Sequence, residues 1–179
     1  KQIGEDILSG SNGKGAVLPF LGISVTERCS LNCEKCIAMV PYYANPQNFN
    51  FDDMQLALNR LVDSVDKILE VSFVGGEVFM NKEFYKYLEW AISKRKIRSI
   101  SVLTNATILP DQRMIDLLKH KKVVFGIDDY GILSSKRDNL IALAKKHNIK
   151  YYILYNECWQ DIGTLERKHY SVEKKNAIF

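Results

Sequence analysis

Apolar positions along the chain alternate between two rhythms. Compact runs at residues 21–25, 69–74, 99–103, 123–127 and 151–154 have the length and composition of strands. Between them, apolar residues recur at helical spacing. One such face carries Met54, Leu58, Leu61, Val62, Val65 and Ile68, and a second carries Phe84, Leu88, Ala91 and Ile92. A third holds Met114, Leu117 and Leu118, and a fourth holds Leu140, Ile141 and Ala144. Asn50 suits the cap of the first helix, and Asn81 opens the second. Pro110 suits the first turn of the third, and Ser135 with Asp138 resembles a capping box before the fourth. Strands alternating with helices predict βαβ units and a parallel sheet, an α/β fold. Five strands are too few to close an eight-stranded barrel, so the expected form is an open, curved partial (βα) barrel.

The 179 residues suffice for one domain with a single core. With 46% hydrophobic and 26% charged residues, the balance is that of an ordinary globular protein. The expected organisation is an N-terminal extension over 1–18, a core over 19–161 and a C-terminal segment over 162–179 that begins a continuation. No apolar run approaches the ~18 residues of a membrane span, so no membrane partner is expected. Net charge is +4, and the clusters Lys94-Arg95-Lys96, His120-Lys121-Lys122 and Lys145-Lys146-His147 each close a helical pattern. Cations there complement the helix dipole, which leaves no call for a nucleic-acid partner. Four cysteines are too few for a disulfide scaffold, and their spacing points to metal in a reducing, cytoplasmic setting.

Three of those cysteines, Cys29, Cys33 and Cys36, stand in the spacing C-x3-C-x2-C directly after the first strand. Three thiolates can hold three corners of a four-iron cluster and leave one iron open to a further ligand. Structural zinc is the alternative, with Cys158 or His169 completing a set of four. Cys158 otherwise reads as a small buried hydrophobe. Each later strand also ends in a polar or glycine signature. These are Gly75-Gly76-Glu77, then Thr104-Asn105, then Asp128-Asp129, then Tyr155-Asn156. In parallel α/β folds that carboxyl edge carries the binding site.

The cysteine triplet joined to Gly75-Gly76-Glu77 one βα unit later resembles the radical SAM superfamily, and the likeness runs from about Pro19 to Asp161. The resemblance implies a [4Fe-4S] cluster on Cys29, Cys33 and Cys36, with S-adenosylmethionine (SAM) chelated to the open iron. It implies reductive cleavage of SAM to a 5′-deoxyadenosyl radical that abstracts hydrogen from a substrate. A peptide, a sugar or a glycyl-radical enzyme is the kind of substrate implied, with flavodoxin or ferredoxin as reductant. Gly75, Gly76 and Glu77 are then expected at the SAM amine. Thr104, Asn105 and Asp128 are expected near the ribose or methionine carboxylate, and Asn156 or Tyr155 near the adenosine. The family usually places an aromatic residue before the last cysteine; here it is Lys35. The family core has six βα units, so the chain reads as a piece of a longer enzyme. A cluster- or SAM-binding module without turnover, or an electron carrier, is the alternative function.

Overall fold

The computed structural model describes residues 16–33 and 36–155. Within them the strands are β1 (Val17–Ser24), β2 (Lys67–Val74), β3 (Ile97–Thr104), β4 (Val123–Asp129) and β5 (Tyr151–Tyr155). Four helices connect them: α1 (Phe51–Ser64), α2 (Phe84–Ser93), α3 (Gln112–Leu118) and α4 (Arg137–Lys146). All five strands are parallel and lie in the order of the chain, so each strand pairs with the next. This is the α/β sheet of a partial barrel. Most of residues 1–18, all of 162–179, and with them Asn156, Cys158 and His169, lie outside the described residues, as does Lys35.

One face of the sheet is apolar through its middle and holds the core. Val71, Phe73, Ile100, Val102, Val123, Phe125 and Ile127 are all fully buried, packed with Phe84, Tyr87, Leu88, Leu118 and Leu140 of the helices. Phe73 meets Phe84 edge to face at 5.4 Å, and Phe51 meets Tyr87 at 5.0 Å. The opposite face carries small residues at its middle. Gly22, Ser72 and Ser101 are register partners across β1, β2 and β3. On β4, Gly126 leaves room for Tyr152 of β5 to lie across it: a Cβ there would stand 2.8 Å from the ring. The Tyr152 hydroxyl reaches Ser101 Oγ at 3.3 Å.

The element ends depart from the expected pattern in four places. Ile68 belongs to β2, not to the first helix. Helix α1 stops at Ser64, where Lys96 Nζ donates to the carbonyls of Val62, Asp63 and Val65 at 3.1, 3.2 and 2.6 Å. Lys122 closes α2 the same way, on Ile92 and Lys94. Lys96 and Lys122 of the first two basic clusters thus serve the helix before, whereas Lys145 and Lys146 stand in the last turn of their own helix α4, as expected. Asn81 opens the turn before α2, its Oδ1 accepting from Glu83 N at 2.9 Å, but the cap position is Glu83, and the Asn81 Nδ2 donates elsewhere, to the carbonyls of Val25 and Phe49 at 2.8 and 2.9 Å. Pro110 precedes the cap of α3, which is Asp111, its carboxylate accepting from Met114 N at 2.8 Å. The Ser135–Asp138 box does not form, because α4 begins after Lys136 with no side-chain cap. No helix among the described residues is long and apolar enough to cross a membrane.

Candidate functional site at the carboxyl edge

Two loops run side by side where β1 and β2 end. Gly76 N donates to Thr26 O at 3.0 Å, and Glu77 N donates to Arg28 O at 2.8 Å, extending the strand pairing past the sheet. The approach is so close that only glycine fits. A Cβ on Gly75, whose φ is +149°, would lie 2.4 Å from Thr26 O, and one on Gly76 would lie 2.2 Å from Arg28 O and 2.8 Å from Cys29 Cβ. The space a side chain would fill is therefore taken by the cysteine loop itself, rather than left open to a ligand. Thr26 secures the far side of that loop, its hydroxyl 2.6 Å from Asn48 Oδ1 and accepting from Arg28 N at 3.0 Å.

Glu77 is fully buried and turned inward. Both carboxylate oxygens lie 2.9 Å from Thr104 Oγ1, and they also accept from the amides of Asn105 and Phe79 at 2.8 and 3.2 Å. Burial pushes its carboxyl up to about 7, against the pull of those amides and the Thr104 hydroxyl; the nearby Asp128 adds to the rise. In this structure Glu77 is a clasp between the ends of β2 and β3. Thr104 is spent on the same clasp and is itself buried. Asn105 turns its amide to the cysteine loop, 3.3 Å from Cys29 Sγ.

The three expected thiols share one partly exposed loop at this edge, and none is in a disulfide. Burial raises Cys29, helped by the charges of Glu77 and Cys33 and opposed by hydrogen bonds from Leu31 and Asn105. Burial and then Cys36 raise Cys33. Among the described residues no three His, Cys, Asp or Glu side chains gather as the ligands of a single metal ion. A cubane spreads its thiolates over separate iron corners, farther apart than ligands of one ion. The donor set, three soft thiols on one loop, suits such a cluster.

Beside the loop lies a cavity of about 560 Å³, lined among others by Met39, Tyr43, Gly75, Gly76, Leu103 and Asp128. Asp128 brings the only carboxylate to its described lining, which holds no Lys or Arg. Burial lifts that carboxyl to about 6, and no described residue hydrogen-bonds or ion-pairs with it. Its neighbour Asp129 is different. It accepts from Arg137 and from Gly131 N, both at 2.8 Å, and so anchors α4. Asn156, expected at the adenosine, lies outside the described residues.

Several residues at the site carry no sequence signal of their own. Ser134 Oγ accepts from Tyr130 N at 2.9 Å and lies 2.9 and 3.0 Å from the carbonyls of Asn105 and Asp128, tying the ends of β3 and β4. Tyr130, in what reads as a turn, has its phenol pushed up by burial, then by Asp128 and the three cysteines. Met39 holds the left-handed conformation at φ 56° in the cavity wall.

Comparison with known proteins agrees with this fold. The chain is 26% identical over 140 residues to a GTP 3′,8-cyclase of Campylobacter lari, covering 76% of this chain and 41% of that relative. Among solved structures it resembles Streptococcus suis SuiB bound to its precursor peptide SuiA, with TM-score 0.58 and 22% identity over 85% of this chain and 35% of that one. It also resembles anSMEcpe with bound AdoMet, with TM-score 0.59 and 19% identity over 77% of this chain and 43% of that one. The chain thus spans less than half the length of these proteins. The model of the radical SAM superfamily matches residues 23–132, more than half of the chain, and this protein belongs to that superfamily, whose cofactors are a [4Fe-4S] cluster and SAM.

Proposed function

We propose that this chain forms the cluster- and SAM-binding core of an enzyme that cleaves SAM reductively. The carrying observation is the cavity beside the cysteine loop, which offers one half-buried carboxylate without a partner among the described residues, and no described cation. Such a lining favours a cationic ligand, and SAM carries a sulfonium and an ammonium. Cys29, Cys33 and Cys36 hold the cluster. The backbone of Gly75 and Gly76 lines the SAM side, and Asp128 accepts from the ammonium or the ribose hydroxyls. The like charge of Asp128 argues against a place beside the methionine carboxylate. Glu77 and Thr104 act from behind, holding the ends of β2 and β3 together. When bound, the cluster and SAM together supply one-electron cleavage of the sulfonium and a 5′-deoxyadenosyl radical for hydrogen abstraction. The chain's part is to bind, orient and shield. A small electron carrier such as flavodoxin or ferredoxin serves as reductant.

For the substrate we favour a peptide segment. The rim exposes Ile37, Tyr42 and Tyr43 on one side and Ile132 and Leu133 on the other, apolar surface that suits side chains better than phosphates. The likeness to SuiB with its precursor peptide supports this reading. Protein reconstituted anaerobically is expected to bind about four irons per chain. Adding SAM to the reduced protein is expected to change its electron paramagnetic resonance spectrum, since only an open iron responds. A fully loaded cluster whose spectrum ignores SAM would overturn the proposal, and 5′-deoxyadenosine release with dithionite completes the test.

A further inference from the structure

The turn after β3 is held more tightly than a loop at a binding edge needs. Asn105 N donates to Glu77 at 2.8 Å, and Asn105 O accepts from Ser134 Oγ at 2.9 Å. Ala106, the next residue, is fully buried in the left-handed region at φ 60°, and its carbonyl accepts from Lys136 N at 2.8 Å. With the backbone pinned on both sides, the direction of the Asn105 side chain is set. Only 6% of the residue is exposed.

The carboxamide has two acceptor positions and two donor hydrogens, and all four are used. Oδ1 accepts from Thr107 N at 3.1 Å and from Thr107 Oγ1 at 2.7 Å. A backbone N–H can only donate, so the oxygen must face Thr107 and the NH2 must face the other way. That NH2 meets Cys29 Sγ at 3.3 Å and Ser30 Oγ at 3.2 Å. Cys29 Sγ receives a second donor, Leu31 N, at 3.4 Å. The amide is thus saturated by protein on the cysteine side and has nothing left for SAM.

We infer that Asn105 is a positioning residue of the cluster, directing the Cys29 sulfur and raising the reduction potential of the cluster it ligates. The inference rests on the reading above that Cys29 binds iron. An N–H aimed at a ligating sulfur favours the state with more negative charge, which is the reduced one. The effect is strengthened where water is excluded. Glu77 enters indirectly, since its carboxylate holds the Asn105 backbone in place. The β3 turn therefore connects the glycine loop to the first cysteine.

The test is a dye-mediated redox titration of reconstituted protein without SAM, read by electron paramagnetic resonance beside iron content and melting temperature. Asn105→Ala is expected to keep its iron and to disfavour reduction about 3- to 10-fold, tenfold being 59 mV for one electron. Thr107→Val keeps the shape, removes one of the two donors that hold Oδ1, and is expected to shift the potential the same way by less. Ser134→Ala loosens the turn without touching the sulfur. It is expected to lower the melting temperature and leave the potential in place. Wild-type potential in Asn105→Ala with full iron overturns the inference, as does an equal shift in Ser134→Ala. If Asn105→Ala loads no cluster, an unshifted Thr107→Val overturns it instead. Wild-type protein that takes up no cluster defeats the proposed function as well. A SAM-responsive wild type with unshifted variants defeats this inference alone.

Discussion

Glu77 has no contact with solvent, and its carboxyl is raised from an ordinary value near 4.5 to about 7, chiefly by burial. The folded state therefore holds a proton that the unfolded state releases between those two values. Stability is greatest below pH 4.5 as far as this group is concerned and declines as pH rises to 7, by about 3 kcal/mol. Asp128, raised by burial to about 6, works in the same direction. Urea unfolding of cluster-free protein at pH 4.5 and 7.5 measures the sum, and Glu77→Gln is expected to remove the larger part of the slope. Gly76→Ala belongs to a harsher class. Its Cβ meets Arg28 backbone at 2.2 Å, which cannot move without shifting the cysteine loop. The expected cost is about 3 kcal/mol or more, with iron content falling in parallel. Ala106→Gly exchanges relief of a left-handed alanine, about 1–2 kcal/mol, for one buried methyl at about 0.8 kcal/mol. Its melting temperature is expected to stay level or rise slightly.

At the level of strands and helices, the regular interiors were legible and most of the ends were not, Asn50 excepted, whose Oδ1 caps α1 by accepting from Asp52 N at 2.8 Å. Alternation of apolar runs and helical faces is a property of many residues at once, so β2, β3 and β4 emerge from hydrophobicity alone. Ends depend on single polar side chains whose partners are distant in sequence. Asn81 is the clearest case. It reads as a helix opener, yet its donors go to Val25 and Phe49, 56 and 32 residues away. Asn81→Leu would remove one of the two donors at each carbonyl, leaving Phe49 N on Val25 O and the Tyr87 hydroxyl on Phe49 O, and is expected to cost about 1–2 kcal/mol in denaturant unfolding. Asp111, the residue after Pro110, is a plain N-cap. Asp111→Ala is expected to cost about 1 kcal/mol, seen as a small fall in melting temperature. The site shows the same division. The cysteines, the glycine pair, Thr104, Asn105 and Asp128 all lie at one sheet edge, as strand ends imply. What each side chain does there was hidden. Glu77 and Thr104 bond to each other, and nothing in their spacing shows that their chemistry is used up inside the protein.

For the molecule as a whole, sequential parallel order puts every βα loop on one rim, so residues from 29 to 128 converge although they are spread over the chain. The sheet's second face is floored by Gly22, Ser72, Ser101 and Gly126, with Tyr152 laid across the last. The packing that brings the glycine pair against the cysteine loop is made of hydrogen bonds between backbone groups of the chain itself. No cofactor atom takes part in them, so loading the site is expected to be a matter of chemistry rather than of refolding. Far-ultraviolet circular dichroism should be the same before and after reconstitution. A handling benefit follows as well: protein that has lost its iron to air keeps its mould and should be restorable in place.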